Sequence, residues 1–197
     1  MRETLIPLIL FTFVGAFTPG PNNLMATAAG HAVGFRRTIP QILGVAVGFG
    51  LMIVLFGIGL AQILSAYPGL HGGLQVVGAV YLLYLAWRLA RAGDPAAEKS
   101  MQRPLTFIEA ALFQWLNPKA WTLAVGVVTA FTTGSENLSS ELTVIVIVFT
   151  LMTVVTLTLW CFFGVAIRTF LSSERDRRIV SYAMAAALAL SVFMLFI

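Results

Sequence analysis

Long apolar stretches separated by short polar segments dominate the chain, and six of them, at about 4–30, 40–64, 72–89, 106–133, 142–167 and 179–197, approach or exceed the length that crosses about 30 Å of hydrocarbon. This pattern predicts an all-α integral membrane bundle of six transmembrane helices. Pro40 is placed to open the second span as a first-turn proline, and an uncharged turn around Tyr67, Pro68 and Gly69 leads into the third. The longest polar stretch, Arg91 to Arg103, carries Asp94-Pro95 and Glu98-Lys99 and reads as a solvated loop. Three spans precede it and three follow. Each passage reverses direction, so the fourth span enters from the side opposite to the first. The expected organisation is therefore one transmembrane domain over 1–197, built as two inverted three-helix repeats, about 1–91 and 104–197, joined by a loop at 92–103.

Two of the spans are interrupted. Thr18-Pro19-Gly20-Pro21-Asn22-Asn23 falls inside the first and Asn117-Pro118-Lys119 inside the fourth, about half a chain length apart. In hydrocarbon an unpaired backbone group costs several kcal/mol, so a broken helix survives only where the freed groups face protein, water or a polar ligand. Matching breaks in both halves point to one shared site near the bilayer midplane, with helices 1 and 4 discontinuous. Pro19 and Pro21 lack the amide hydrogens that would reach the carbonyls of Gly15 and Phe17, and Gly20 between them tolerates unusual dihedrals. Pro118 in the same way frees the carbonyl of Gln114. Asn22, Asn23 and Asn117 add side-chain amides, and a restarting helix N-terminus favours an anion.

Lys119 lies about 13 residues into its span, roughly 20 Å deep, out of reach of the interface. A charge there costs at least about 2.5 kcal/mol, and such groups normally face a cavity or a partner. It is a candidate contact for an anionic ligand group; the structural alternative is a lysine that holds the break together through the freed carbonyls, and the two roles are compatible. Glu109, only a turn into the span, reads as an interfacial carboxylate, and His31, near Arg36 and Arg37, as interfacial rather than as a proton carrier. Gln41, Gln62, His71 and Gln75 lie near span ends and read as local hydrogen-bonding groups. Gly44 and Gly48, with Gly50 nearby, would let the second span approach a neighbour closely. Trp115 and Trp121 flank the second break, either walling a pocket or packing in the bundle.

Composition removes the competing classes. With 59% hydrophobic and 10% charged residues and a mean hydropathy of +0.92, the chain lacks the charge that a water-facing domain needs. The net charge of +4 does not indicate a nucleic-acid partner, because the basic residues sit in short clusters between apolar runs. Ten of the twelve, Arg36, Arg37, Arg88, Arg91, Lys99, Arg103, Arg168, Arg175, Arg177 and Arg178, fall in the first, third and fifth connections. The positive-inside rule then makes those connections cytoplasmic and puts both termini outside. The N-terminal segment, with Arg2 cancelled by Glu3 and prolines in place of a small-x-small site, reads as a retained span rather than a cleaved signal. The single cysteine, Cys161, excludes an internal disulfide and reads as a lipid- or core-facing side chain. No paired-carboxylate, His-rich or Ser–His pattern supports an enzyme, and none calls for a metal or a cofactor.

Gly15 through Asn23, followed by Gly34-Phe35-Arg36-Arg37 and Gly44 through Gly48, resembles the LysE/RhtB family of amino-acid exporters. So do Gly78 through Trp87 and Phe113 through Ala120. The similarity covers nearly the whole chain in order, with Ala110 standing where members often have glycine. It implies a multi-pass protein of the bacterial cytoplasmic membrane that moves amino acids or close derivatives outward on the proton gradient. The resulting expectation is alternating access around Gly15, Phe17, Pro19, Gly20, Pro21, Asn22, Asn23, Gln114, Asn117, Pro118 and Lys119. Lys119 and the amides near Asn22 and Asn23 would take the substrate carboxylate; the carbonyls of Gly15, Phe17 and Gln114 would take its ammonium. Lys119 is also a candidate proton carrier. A passive small-solute channel is the rival reading, since polar breaks can build a filter. The lipid bilayer and a small-molecule substrate are the expected partners, and so thin a scaffold suits a homodimer.

Overall fold

A computed structural model describes residues 2–59, 68–91, 103–133, 137–170 and 173–192. Within them the chain is helical: α1 (Arg2–Phe17), α2 (Pro21–Val33), α3 (Phe35–Gly57), α4 (Pro68–Arg91), α5 (Phe107–Phe113), a 3-10 turn (Gln114–Leu116), α6 (Pro118–Phe131), α7 (Leu138–Phe170) and α8 (Glu174–Leu190). The turn position Tyr67, Gln62, the end of the second span to residue 64, loop positions 92–102 and the last five residues of the sixth span lie outside the described residues. So do the side chains of His71 and Gln75.

Three helices, α3, residues Gly72–Arg91 of α4, and α7, are long and apolar enough to cross a membrane singly. Residues Thr4–Phe17 and Pro21–Val33 are apolar enough together for a further crossing and meet at a 60° bend, the geometry of a broken span or a re-entrant loop. The apolar pieces Phe107–Leu116 and Arg178–Leu190 are shorter. Their outward faces carry Leu10, Val14, Val47, Leu51, Leu112, Leu151, Val155 and Phe163, all exposed. So continuous an apolar surface is unsuited to water and matches lipid.

Local sequence explains the element limits. Gly34, at φ 84°, ends α2 in a conformation that side chains with a Cβ rarely adopt, and α3 begins at once. The second helix therefore starts five residues before Pro40, which sits inside it rather than in its first turn, a correction to the sequence expectation. α7 runs for 33 residues, roughly 50 Å, extending the expected 142–167 at both ends. α8 starts earlier than expected, where the Ser173 side chain caps it by accepting from the Asp176 amide, and it ends at Leu190, with Ser191 and Val192 in a turn.

α3 and α7 are the antiparallel centre: the Phe49 and Phe149 rings pack tilted with centroids 4.5 Å apart, Gly50 abuts Thr150, and Gly57 abuts Leu142. α2 lies against α7 through small groups, Gly30 on the backbone of Cys161 and Gly164 on that of Thr27, where an added Cβ would collide. Gly44 and Gly48 press on the backbone of α5 at Phe107 and Ala111, the close approach that the glycine spacing predicts. Ala110 has its Cβ packed beside Gly44 and is fully buried. Cys161 is buried in the core.

The core divides in two. One cluster joins Ala26, Ile42, Leu82, Phe113, Cys161 and Leu188; the other joins Leu8, Met52, Phe56, Ala124, Val127 and Ile145. The first lies toward the end where basic groups gather: Arg168 donates to the Ala32 carbonyl at 3.4 Å, close to Arg36 and Arg37 at the start of α3. The Leu105 amide donates to Gln41 Oε1 at 3.2 Å, bringing Arg103 to the same end.

Candidate functional site

Both interruptions exist, and they touch. α1 ends at Phe17 and α2 restarts at Pro21 behind an extended Gly20; α5 passes through the 3-10 turn to Asn117, where Pro118 opens α6. In each case a proline occupies the first helical turn, where its missing amide hydrogen costs nothing. Asn22 Nδ2 donates to Gln114 Oε1 at 2.8 Å and Gln114 Nε2 returns a bond to Asn22 Oδ1 at 3.4 Å, tying the breaks amide to amide. The Lys119 side chain crosses Gly20 and donates from Nζ to the Thr18 carbonyl. A Cβ at position 20 would lie 2.8 Å from Lys119 Cδ.

The end of α1 is finished by groups from elsewhere. Asn23, buried, directs Nδ2 at the carbonyls of Ala16 (2.9 Å), Phe17 (3.3 Å) and Thr18 (3.0 Å). The Trp160 indole of α7 donates to Phe17 at 3.2 Å. A helix C-terminus carries roughly half a negative charge, so the lysine amine is electrostatically matched to the carbonyl it meets. The second break closes on itself: the Asn117 amide donates to the Gln114 carbonyl at 3.2 Å, and the Asn117 side chain accepts from the Lys119 amide at 3.2 Å. The carbonyls of Phe17 and Gln114 thus both have partners within the protein.

Between the two core clusters, at this junction, is a cavity of about 40 Å³, roughly three water-sized volumes. Gly15, Gly20, Asn22, Asn23, Asn117 and Lys119, all predicted from sequence, line it. Pro19, Pro21 and Pro118 shape the backbone around it. Gln114, fully buried, sits behind Asn22 and also donates to the Ala110 carbonyl at 2.7 Å. The apolar wall comes from Val45, Phe49, Leu123, Phe149 and Leu157. Thr153 and Thr156 of α7 also line it, and the sequence reading passed over them. Their signal was present: 149, 153, 156 and 157 follow helical spacing, so two hydroxyls share a face with two apolar residues in an otherwise apolar run.

The other candidates lie elsewhere. Glu109 forms a capping box with Thr106, accepting from its amide at 2.8 Å, and pairs with Arg103 at 2.6 Å, as expected of an interfacial carboxylate. The hydrogen bonds that Arg103 donates to Glu109 raise the pKa of Arg103, already a permanent cation. His31 is in the last turn of α2. Trp121 donates from its indole to the Trp115 carbonyl at 3.0 Å, and both rings pack beside the second core cluster, outside the cavity lining.

The family model of the LysE type translocator matches residues 13–197, a stretch that holds both breaks and every cavity residue. The chain belongs to the LysE type translocator family. Among curated relatives, this chain is 37% identical over 123 residues to the cysteine/O-acetylserine efflux proteins of Salmonella paratyphi A (strain ATCC 9150 / SARB42) and of Salmonella typhi. It is 31% identical over 123 residues to the protein of that name from Escherichia coli (strain K12). Each match covers 61% of this chain and 62% of the relative, about three fifths of the relatives' length. No solved structure matches the chain. Family membership, the relatives and the apolar helices make this a multi-pass bacterial membrane protein.

Proposed function

We propose that this translocator is a secondary transporter, not an enzyme, that exports amino acids or close derivatives across the cytoplasmic membrane by alternating access coupled to the proton gradient. The observation that carries the reading is a lysine amine held at the meeting point of two broken helices, beside the N-terminus of α2. An amino-acid carboxylate needs a cation or free amides, and Lys119 with the first-turn amides of Asn22 and Asn23 supplies both. The Thr18 carbonyl that Lys119 now contacts is its resting partner; substrate would take that place. The substrate ammonium would go to carbonyl oxygens around Gly15 and the end of α1, whose second lone pairs can still accept.

In this reading the single domain over 1–197 consists of inverted repeats, about 1–91 and 104–197, joined through 92–103. It has six spans, the basic end is cytoplasmic, and both termini lie outside. A homodimer would widen so thin a scaffold. The relatives' names make cysteine and O-acetylserine the first substrates to test.

Uptake into inverted vesicles tests the proposal. Lys119→Met, correctly inserted, should lose about 10- to 100-fold in rate, the order of one charge-assisted hydrogen bond; a rate equal to the parent's would remove the carboxylate contact. Saturable counterflow supports the carrier, and flux linear in concentration would support the channel instead.

A further inference from the structure

Resting on the exporter reading, we propose that Thr153, backed by Thr156, selects the substrate side chain, favouring short neutral side chains that carry a hydroxyl or thiol over apolar ones of equal size. The helical threonines Thr12, Thr27, Thr38, Thr122 and Thr143 each donate to the carbonyl four residues back, which spends their only proton. Thr153 is different. It is 6% exposed, lines the cavity, and its hydroxyl makes no hydrogen bond among the described residues. Its oxygen opens on the cavity, so a ligand seated there can take the hydroxyl proton.

Thr156, fully buried, donates to the Thr153 carbonyl at 3.1 Å, leaving its oxygen lone pairs to accept. A hydroxyl or thiol on the substrate can both donate and accept, so it satisfies this pair. An alkyl side chain satisfies neither. Lys119 is the one ionisable residue around the cavity among those described, and the carboxylate claims it. A charged side chain would then be buried without a counter-ion, which disfavours basic and acidic amino acids alike. Phe49, Phe149 and Leu157 limit length.

The test is counterflow in proteoliposomes with serine, cysteine and 2-aminobutyrate as nearly equal-sized substrates. The parent should favour serine and cysteine over 2-aminobutyrate by about tenfold, the order of one neutral hydrogen bond. Thr153→Val should bring that ratio close to one, while Thr153→Ser keeps it. Thr153→Ala gives the same readout if valine blocks entry. An unchanged ratio in both hydroxyl-free variants, or arginine or glutamate competing as well as serine, would overturn the assignment and leave the exporter reading standing. Counterflow of no amino acid at all by the parent would overturn that reading instead.

Discussion

The two breaks meet across a few ångströms but are stabilised by different means. The second is self-contained: a 3-10 turn absorbs the missing amide, and Asn117 caps the new helix from within the same five residues. The first depends on outside help, since the last carbonyls of α1 take their bonds from Asn23, from Trp160 of α7 and from Lys119 of α6. A locally closed break behaves as a rigid bend. One held by side chains from three other helices changes when any of those helices moves. In the proposed transport cycle the first break is therefore the part that would move, exchanging the bond to Thr18 for one to a ligand, while the second would be the fixed platform that presents Lys119.

The sharpest way to break this contrast is to strip the first site of its internal donor. Asn23→Ala removes the amide shared by three carbonyls at a buried position, and should destabilise the protein by about 2–3 kcal/mol. The corresponding change at the second break, Asn117→Ala, removes a helix cap and should cost only about 1 kcal/mol. Thermal unfolding in detergent measures both. Equal losses, or a larger loss at Asn117, would sink the distinction. Trp160→Phe keeps the ring but loses its bond to Phe17, and should cost about 1 kcal/mol, raising hydrogen exchange in residues 15–20 more than in 114–119.

Much of this arrangement was legible from residue types. Proline and asparagine pairs inside apolar runs located both breaks, because few other residues explain such a pattern in hydrocarbon. The Gly44 and Gly48 spacing foretold a close helix contact. What could not be read was which partner each freed group takes. The carbonyls of Phe17 and Gln114 were expected at the site, yet their donors, Trp160 and the Asn117 amide, depend on how α7 packs and on a 3-10 turn that residue propensity does not announce. Thr153 and Thr156 escaped notice because threonine in an apolar helix usually bonds its own backbone; only packing reveals which face meets the cavity. The start of α3 was misplaced for a related reason. Pro40 is a common helix opener, but Gly34 already supplies the turn, so the helix has begun before the proline arrives.

The amide pair joining the breaks gives the finest test of how rigid the platform is. Asn22 and Gln114 exchange hydrogen bonds, but Gln114 also donates to Ala110, so it retains a partner when Asn22 is lost. A double-mutant cycle with Asn22→Ala and Gln114→Ala should give a coupling of about 0.5–1.5 kcal/mol in stability, the range for neutral side-chain pairs. That is smaller than the effect at Asn23 because Gln114 keeps its bond to Ala110 and Asn22 is only half-buried. If the breaks must separate during transport, the same pair should have a second signature. Weakening it would speed exchange between the occluded and open states and raise counterflow at saturating substrate, even as the protein melts earlier. A coupling near zero with unchanged flux would mean that the breaks only lie side by side, and that Lys119 alone links the platform to the moving end.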